Sequence, residues 1–295
     1  MSAPTDRVLI IGGTGQLGTD LLRTFADRMP IAPDRRLTEL TEPAALRTLL
    51  TRYRPTIVIN TAAYHNVEHC EVYPERAMAV NAVGVDMLAG LCAAANVPLL
   101  HISTDYVFDG KSGRAYREDD AAAPVNAYGI SKLAGELLIR RHGPRHFIIR
   151  TSGLYGRAGS STKGYTFIER VLGQAERGEP VRVVDDMVFS PSYTRDVAQT
   201  IRTIVESGRF GTYHVTNGGA CSWYEFAEEA FRLAGLTPDL QAVRSASFDP
   251  FIERPMYSPL DPAALRAASL ALPRSWRDGL AAYVSERSSR TAAVC

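Results

Sequence analysis

Lysine is almost missing from this chain. It occurs only at positions 111, 132 and 163 of 295 residues, and arginine supplies nearly all the other positive charge. The bias reads as genome composition, but it makes the place of each lysine informative. Cysteine is sparse as well: Cys70, Cys92, Cys221 and Cys295 are widely spaced and form no C-x-x-C pair. That excludes the close ligand pairs of a zinc site and argues against a disulfide framework, leaving reduced, mostly buried thiols. Blocks of like charge are absent and the formal net charge is +1, so nothing favours nucleic acid or anionic lipid as a partner. No cationic segment leads into a signal-length apolar core. The first apolar run, Val8 to Ile11, stops at two glycines, and no run approaches membrane-spanning length. A cytoplasmic protein is the expectation. With 45% hydrophobic and 22% charged residues, the composition is that of a globular chain with a substantial core.

What is present is an alternation of two patterns. Short, continuous apolar runs at Val8–Ile11, Ile57–Ile59, Leu99–Ile102 and Phe147–Ile149 suit strands buried on both faces of a parallel sheet. Between them lie helical patterns at about Gln16–Asp27, Glu42–Arg52, Glu75–Ala95 and Val125–Arg141, the second opened by Thr41 as N-cap with Pro43 in the first turn. Such alternation predicts a doubly wound α/β fold over residues 1–150. Beyond Arg150 the stretch 151–164 is rich in Gly, Ser and Thr and reads as loop. Helices follow at about Tyr165–Arg177, Thr194–Ser207, Trp223–Ala234 and Trp276–Arg287, with strands near Val181–Val184 and Tyr213–Thr216. Clustered prolines make 238–273 irregular, and the tail after Glu286 reads as frayed. Residues 151–295 are expected to form a smaller, mainly substrate-binding domain, with some segments returning to the first core.

The first chemical motif is Gly12-Gly13-Thr14-Gly15-Gln16-Leu17-Gly18, after the first strand and before a helix. Glycines there allow a tight turn and a close backbone approach to a pyrophosphate seated on the positive helix end. Downstream, Asp34 could take ribose hydroxyls and select NAD, whereas Arg35 and Arg36 could grip a 2′-phosphate; two guanidinium groups tilt the reading to NADP. Ala62 and Ala63, between Thr61 and Tyr64 at a strand's carboxyl end, leave room for a flat cofactor. The most specific constellation is Ser103-Thr104-Asp105 at the next strand end, followed by Tyr128 and Lys132 on one face of a helix. A free tyrosine titrates near pH ~10, so it needs help to work at neutrality. A neighbouring ammonium would favour the phenolate, while hydroxyls at the strand end would hold a substrate carbonyl.

Taken together these segments resemble the extended short-chain dehydrogenases, in particular the dTDP-4-dehydrorhamnose reductase family. The matching text is GGTGQLG (12–18), NTAAY (60–64), Val80-Asn81-Ala82, HISTDYVFDG (101–110), YGISKLAGE (128–136), RTSGLYG (150–156) and VVDDMVFSPSYT (183–194). It continues through Tyr213–Thr216 and CSWYEFA (221–227) to Arg254-Pro255 and Ser258–Asp261, thus over essentially the whole chain. The resemblance implies a Rossmann-type fold and hydride transfer from NADPH (or NADH) to C4 of a 4-keto-6-deoxyhexose on a nucleoside diphosphate. Tyr128 would protonate the alkoxide, Lys132 would lower its pKa and hold the nicotinamide ribose, and Thr104 would bind the keto oxygen with Asp105 adjusting the proton balance. Gly15, Gln16 and Leu17 would meet the pyrophosphate, Glu39 and Leu40 the adenine, and Ala62, Ala63 and Tyr64 the adenosine ribose side. Arg254 would serve the substrate diphosphate. A homodimer is an option; some relatives dimerise around magnesium, but no local carboxylate cluster here supports a metal.

Several positions depart from the family. Glu39 stands for the usual Asp, Gly153 for a frequent tryptophan near the sugar, Met187 and Phe189 for Gln and Gly, Thr166 for Asn, and His65 for a small polar residue. These leave the sugar open between the rhamnose precursor and another 4-keto-6-deoxy sugar. Epimerase and dehydratase chemistry on the same fold is a further reading, but dehydratases usually place Asp-Glu after the catalytic Ser/Thr and this chain has Asp105-Tyr106. A non-catalytic regulatory subunit is opposed by the intact Tyr128, Lys132 and Thr104 set.

Overall fold

The computed structural model describes residues 6–159, 164–247 and 252–294. Its first half runs β1 (Val8–Ile11), α1 (Gln16–Thr24), α2 (Pro43–Tyr53), β2 (Ile57–Asn60), α3 (Val67–Val72), α4 (Pro74–Met78), α5 (Gly84–Ala94), β3 (Leu99–Thr104), α6 (Ala127–Arg141) and β4 (His146–Thr151). The second half adds β5 (Leu154–Tyr155), α7 (Phe167–Glu176), β6 (Val181–Val184), β7 (Val188–Phe189), β8 (Ser192–Tyr193), α8 (Thr194–Ser207), β9 (Gly211–His214), β10 (Cys221–Ser222), α9 (Trp223–Ala234), β11 (Leu240–Val243), α10 (Ala263–Ala267) and α11 (Trp276–Val294).

Five strands form one parallel sheet in the order β1-β2-β3-β4-β9. Parallel strands need crossovers, and helices placed there cover both faces, which is why the apolar runs are continuous. On one face Val8, Ile10, Ile59 and Ile149 pack with Leu21 of α1 and Val197, Ile201 and Ile204 of α8. On the other, Leu9, Ile11, Val58 and Ile148 pack with Leu49 of α2, Val85 and Leu88 of α5, and Ile139 of α6. A separate core unites α7, α9 and α11 with β6 around Ile168, Phe226 and Leu280. The sheet therefore takes β9 from the second half, and α8 lies on α1.

Some expectations need correcting. The stretch that carries Asp34, Arg35 and Arg36 holds no full strand, only one bridge of Ile31 beside Leu9. At α2 the N-cap is Glu42 rather than Thr41, with no side-chain cap bond. The helix expected over 75–95 is interrupted by a π turn at Ala79–Val83. Leu154–Tyr155, inside the supposed loop, pairs with β8, and Leu240–Val243, inside the supposed irregular stretch, pairs with β6. The tail does not fray after Glu286, since α11 continues to Val294. Finally, Pro74–Ala94 is long and apolar enough to cross a membrane by length and composition, with mean hydropathy 1.6, although α2 and α6 pack against its α5 part. The three described cysteines, Cys70, Cys92 and Cys221, are free and buried.

Candidate active site

The carboxyl ends of β1, β2, β3 and β4 open into a cleft of about 530 Å³, where ligands bind in open parallel sheets. At its floor, Gly12, Thr14, Gly15, Gln16 and Leu17 line the cleft, and Gly15 is the N-cap of α1, so the helix's free amides face the opening. Gly18 is not on the lining. It lies beneath the turn, where a Cβ would stand 2.2 Å from the Gly12 carbonyl oxygen. Across the turn, the Thr61 hydroxyl donates to the carbonyls of Ile11 (2.9 Å) and Gly12 (3.1 Å), tying two strand ends together. Ala62, Ala63 and Tyr64 continue the wall, and Pro33, Thr38, Glu39 and Leu40 close its far end. Arg36 is exposed in the 3₁₀ turn Arg35–Leu37, off the lining, and the Arg35 side chain lies outside the described residues. Glycine turn, helix end and alanine wall fit a dinucleotide, and the volume is within the usual range for cofactor clefts.

The opposite end holds the acid–base groups. Ser103 and Thr104 end β3, and both line the cleft with Asp105. The Thr104 hydroxyl donates to Asp105 Oδ1 (3.0 Å), and Asp105 Oδ2 accepts from Ser152 (2.8 Å) and Ser258 (2.6 Å). Burial nevertheless raises the Asp105 pKa, outweighing the three hydroxyl donors. Tyr128 sits in the first turn of α6, which Asn126 caps by accepting from the Gly129 amide (2.9 Å). Its ring meets Tyr106 edge-on at 5.8 Å. Burial pushes the phenol well above its ordinary range, and the Thr104 hydroxyl only partly offsets this.

Lys132 differs from its expected behaviour. Its side chain is buried, its Nζ donates to the Ile102 carbonyl at 2.6 Å, and it stands 2.9 Å from His101 Nε2. Burial pulls its pKa down to about 7, against a smaller opposing pull from Glu136. The Tyr128 proton is held more tightly than in free tyrosine, chiefly because the phenol is buried. Dryness thus disfavours both charged forms at once, and Glu136 offsets it only in part at Lys132.

Several supporting residues lie in segments that match the family but received no role from the sequence. Asn81, in the π turn, accepts from the Tyr64 amide (2.8 Å) and donates to the Tyr64 carbonyl (2.8 Å) and Ser131 Oγ (3.0 Å), fixing the alanine wall against α6. A polar residue within an apolar helical stripe was the available signal. Glu136 accepts from Arg150 Nε (2.9 Å) and Nη2 (2.7 Å) and from Ser103 Oγ (2.6 Å), so a buried ion pair backs the strand end. Ser152 and Ser258 lie in segments that match the family, but only the fold brings them to Asp105.

On the substrate side, Gly153 lines the cleft at φ +48°, and a Cβ there would meet the Phe189 ring at 2.1 Å. Phe189 stacks on Trp223 at 3.8 Å, so the aromatic mass stands behind residue 153 rather than on it. Met187 is buried, His65 lines the cleft, and Thr166 caps α7 by accepting from the Glu169 amide (3.3 Å). Arg254 is not on the lining; it pairs with Glu68 at 2.8 Å and acts on the Tyr106 hydroxyl.

A parallel Rossmann-type sheet with a glycine-turn cleft and a Tyr/Lys/Thr end wall defines the short-chain dehydrogenase class. Within it, the chain belongs to the family described as "RmlD substrate binding domain", whose model matches residues 6–289. It is 39% identical over 285 residues to the spore coat polysaccharide biosynthesis protein SpsK of Bacillus subtilis, covering 96% of this chain and 98% of that one. Identity is 36% over 280 residues to a dTDP-4-keto-6-deoxy-D-glucose reductase of Streptomyces niveus, covering 94% and 96%. Among solved structures it is similar to dTDP-4-dehydrorhamnose reductase of Bacillus anthracis in complex with NADP, at TM-score 0.91 and 33% identity, covering 96% and 100%.

Proposed function

We propose that the protein is an NADPH-dependent reductase of the C4 ketone of a dTDP-4-keto-6-deoxyhexose, with dTDP-4-dehydrorhamnose as substrate and dTDP-L-rhamnose as product. The observation that carries the reading is Tyr128, a phenol kept protonated beside the Thr104 hydroxyl at the end of a dinucleotide-shaped cleft. The named activities of the relatives and the NADP bound to the Bacillus anthracis structure support it. When bound, the reduced nicotinamide supplies a hydride to the carbonyl carbon. The Gly15–Leu17 turn would hold the diphosphate, Glu39 and Leu40 the adenine, Ala62, Ala63 and Tyr64 the adenosine ribose side, and Lys132 the nicotinamide ribose.

Tyr128 then gives its proton to the ketone oxygen as negative charge develops there. Thr104 donates to Asp105 in this structure, so serving the same oxygen requires its hydroxyl hydrogen to turn away. Asp105, with its raised pKa, can hold a proton and donate to Thr104 in return, leaving Thr104 free to donate onward. Ser152 and Ser258 keep that carboxyl in place. A cytoplasmic setting fits the reading, because both reactants are multiply charged and do not cross a bilayer unaided.

A second reading keeps the chemistry and changes the sugar. It is favoured by the exchange at residues 153 and 189, which leaves the cleft without an aromatic side chain at 153. Oxidation of NADPH by the purified protein with dTDP-4-keto-L-rhamnose, and separately with its unepimerised precursor, decides between them, with NMR of the product. Turnover of the first alone supports the rhamnose reading, turnover of the second alone the other, and no turnover with either removes the reductase.

A further inference from the structure

Two carboxyl groups lie buried at the end of β3, and their partners have opposite chemistry. Glu136 accepts from Arg150, Arg140 and Ser103, and because arginine can only donate, that carboxyl is held as an anion. The side-chain partners of Asp105 are three hydroxyls from three segments, Thr104 on Oδ1 and both Ser152 and Ser258 on Oδ2. A hydroxyl donates to a carboxylate or accepts from a carboxylic acid, so this cage suits either state.

The cage also decides which oxygen carries a proton. Ser152 and Ser258 are buried, and among the described residues the acceptor bonded to each hydroxyl is Asp105 Oδ2. Turning either hydroxyl round to accept would strand its own hydrogen without a partner. Both therefore donate, Oδ2 has both lone pairs taken, and an incoming proton goes to Oδ1, opposite Thr104. The Thr104 oxygen already accepts from the Tyr106 amide (3.2 Å). With the Asp105 proton it accepts twice, and its own hydrogen is left to the cleft side, where the Tyr128 phenol stands.

We propose that Ser258 is a positioning residue for the reduction: with Ser152 it reserves Asp105 Oδ1 for the proton, which turns the Thr104 hydroxyl toward the substrate ketone. The last step rests on the reductase reading above; the place of the Asp105 proton does not. Charged and titratable groups around Asp105 are bound elsewhere. Its own turn adds Tyr106, β3 adds His101, which faces Asn60 and Lys132, and α6 adds Tyr128 and Lys132, whose Nζ is given to the Ile102 carbonyl. From β4 comes Arg150, committed to Glu136, and from the segment of Ser258 comes Arg254, paired with Glu68. Burial raises the Asp105 pKa against its hydroxyl donors, which favours the proton-bearing form.

Infrared difference spectra without cofactor read this carboxyl directly. The unmodified protein is expected to show the carbonyl band of a buried carboxylic acid, absent in Asp105→Asn and lost as pH rises. Ser258→Ala removes a donor that favours the anion, so the band should persist to a midpoint about one pH unit higher, and Ser152→Ala should act in the same direction. In turnover with a 4-keto-6-deoxy sugar nucleotide, the alkaline limb of kcat in Ser258→Ala should move up with that midpoint. Its plateau should fall about tenfold, because Oδ2 now has room for the proton and Thr104 turns back to Oδ1. A merely structural serine would lower kcat at every pH and leave the limb in place. A midpoint that stays or falls in Ser258→Ala overturns the proposal, as does a limb that stays while the midpoint moves. A raised midpoint in a protein that reduces no keto sugar would leave the proton on Oδ1 and remove the function.

Discussion

The two walls of the cleft are built differently. The sheet-side wall is made of strand ends and of α6, and its groups are held by short hydrogen bonds: Thr61 to Ile11, Asn81 to Tyr64, Glu136 to Arg150 and Ser103. Such sites on regular elements are positioned to a fraction of an ångström. The wall from the second half is made of short strands and aromatic rings, with Phe189, Trp223 and Phe226 packed together behind Gly153. Its positioning comes from packing rather than from directed bonds. Chemistry common to a class belongs on the first wall, and the choice of sugar on the second, because stacked rings and a missing side chain set shape without setting charge.

The comparison is broken most directly on the sheet side. Tyr128→Phe removes the proton donor while leaving the ring against Tyr106, and kcat should fall about 10³-fold, equivalent to about 4 kcal/mol, with NADPH affinity unchanged. Steady-state rates and cofactor titration together check this; a loss under tenfold would place the acid elsewhere. Next in size is the support beneath that wall. Arg150→Met strands Glu136 with the half-exposed Arg140 as its remaining cation, which should cost about 3 kcal/mol of unfolding free energy in urea. A change within 0.5 kcal/mol, roughly the size of a neutral surface substitution, would show that the buried pair carries little.

Much of the first wall was legible beforehand, for a physical reason. Gly12–Leu17, Ala62-Ala63, Thr104 and Tyr128 all fall at strand–helix junctions, and local sequence pattern marks those junctions. Lys132 was legible as a site residue, but its surroundings were not, since His101 and Asn60 come from two separate strands. Gly18 was read as touching the cofactor because the motif spacing includes it, whereas its task is close packing under Gly12. Of the second wall the sequence marked the unusual residues 153, 187 and 189 one by one. It could not show that 153 and 189 compensate for each other, since nothing local to either position records the contact. The same holds for Ser258, which reaches Asp105 across 153 positions. The short strands β5 and β11 were missed because β5 has only two residues and Leu240–Val243, with its middle exposed, offers no continuous apolar run.

On the second wall the sharper probe is Gly153→Ala. At φ +48° an L-residue is strained, and the added carbon presses on the Phe189 ring, so about 2 kcal/mol of stability should be lost. If that wall selects the sugar, the same change raises KM for the sugar nucleotide and leaves kcat within a few-fold. Combining it with Phe189→Gly removes the clash but also a buried ring that stacks on Trp223, so the double variant should lose less stability than the sum of the two single losses. A kcat loss comparable to that of Tyr128→Phe would erase the distinction between the walls.

The last probe returns to the sheet side, where the effect is the smallest per pH unit, and reads its dryness directly. Unfolded chains hold the lysine proton up to about pH 10.5, but the folded protein holds the Lys132 proton only to about 7. Between these values the unfolded state binds more protons, so stability rises with pH, by at most about 1.4 kcal/mol per unit from this one group. Below pH 7 the burial penalty is present in full and no longer changes. Lys132→Met abolishes the titration, so the difference in unfolding free energy between the unaltered protein and the variant should climb from pH 7 to 10 and stay level from 5 to 6.5. Denaturant unfolding at half-unit intervals resolves this, with all other titrating groups cancelling in the difference. A level difference across the whole range would mean that Lys132 stays charged in the folded protein. The two walls would then differ in geometry alone, and the sheet side would hold its lysine as it holds Arg150, by pairing rather than by neutralisation.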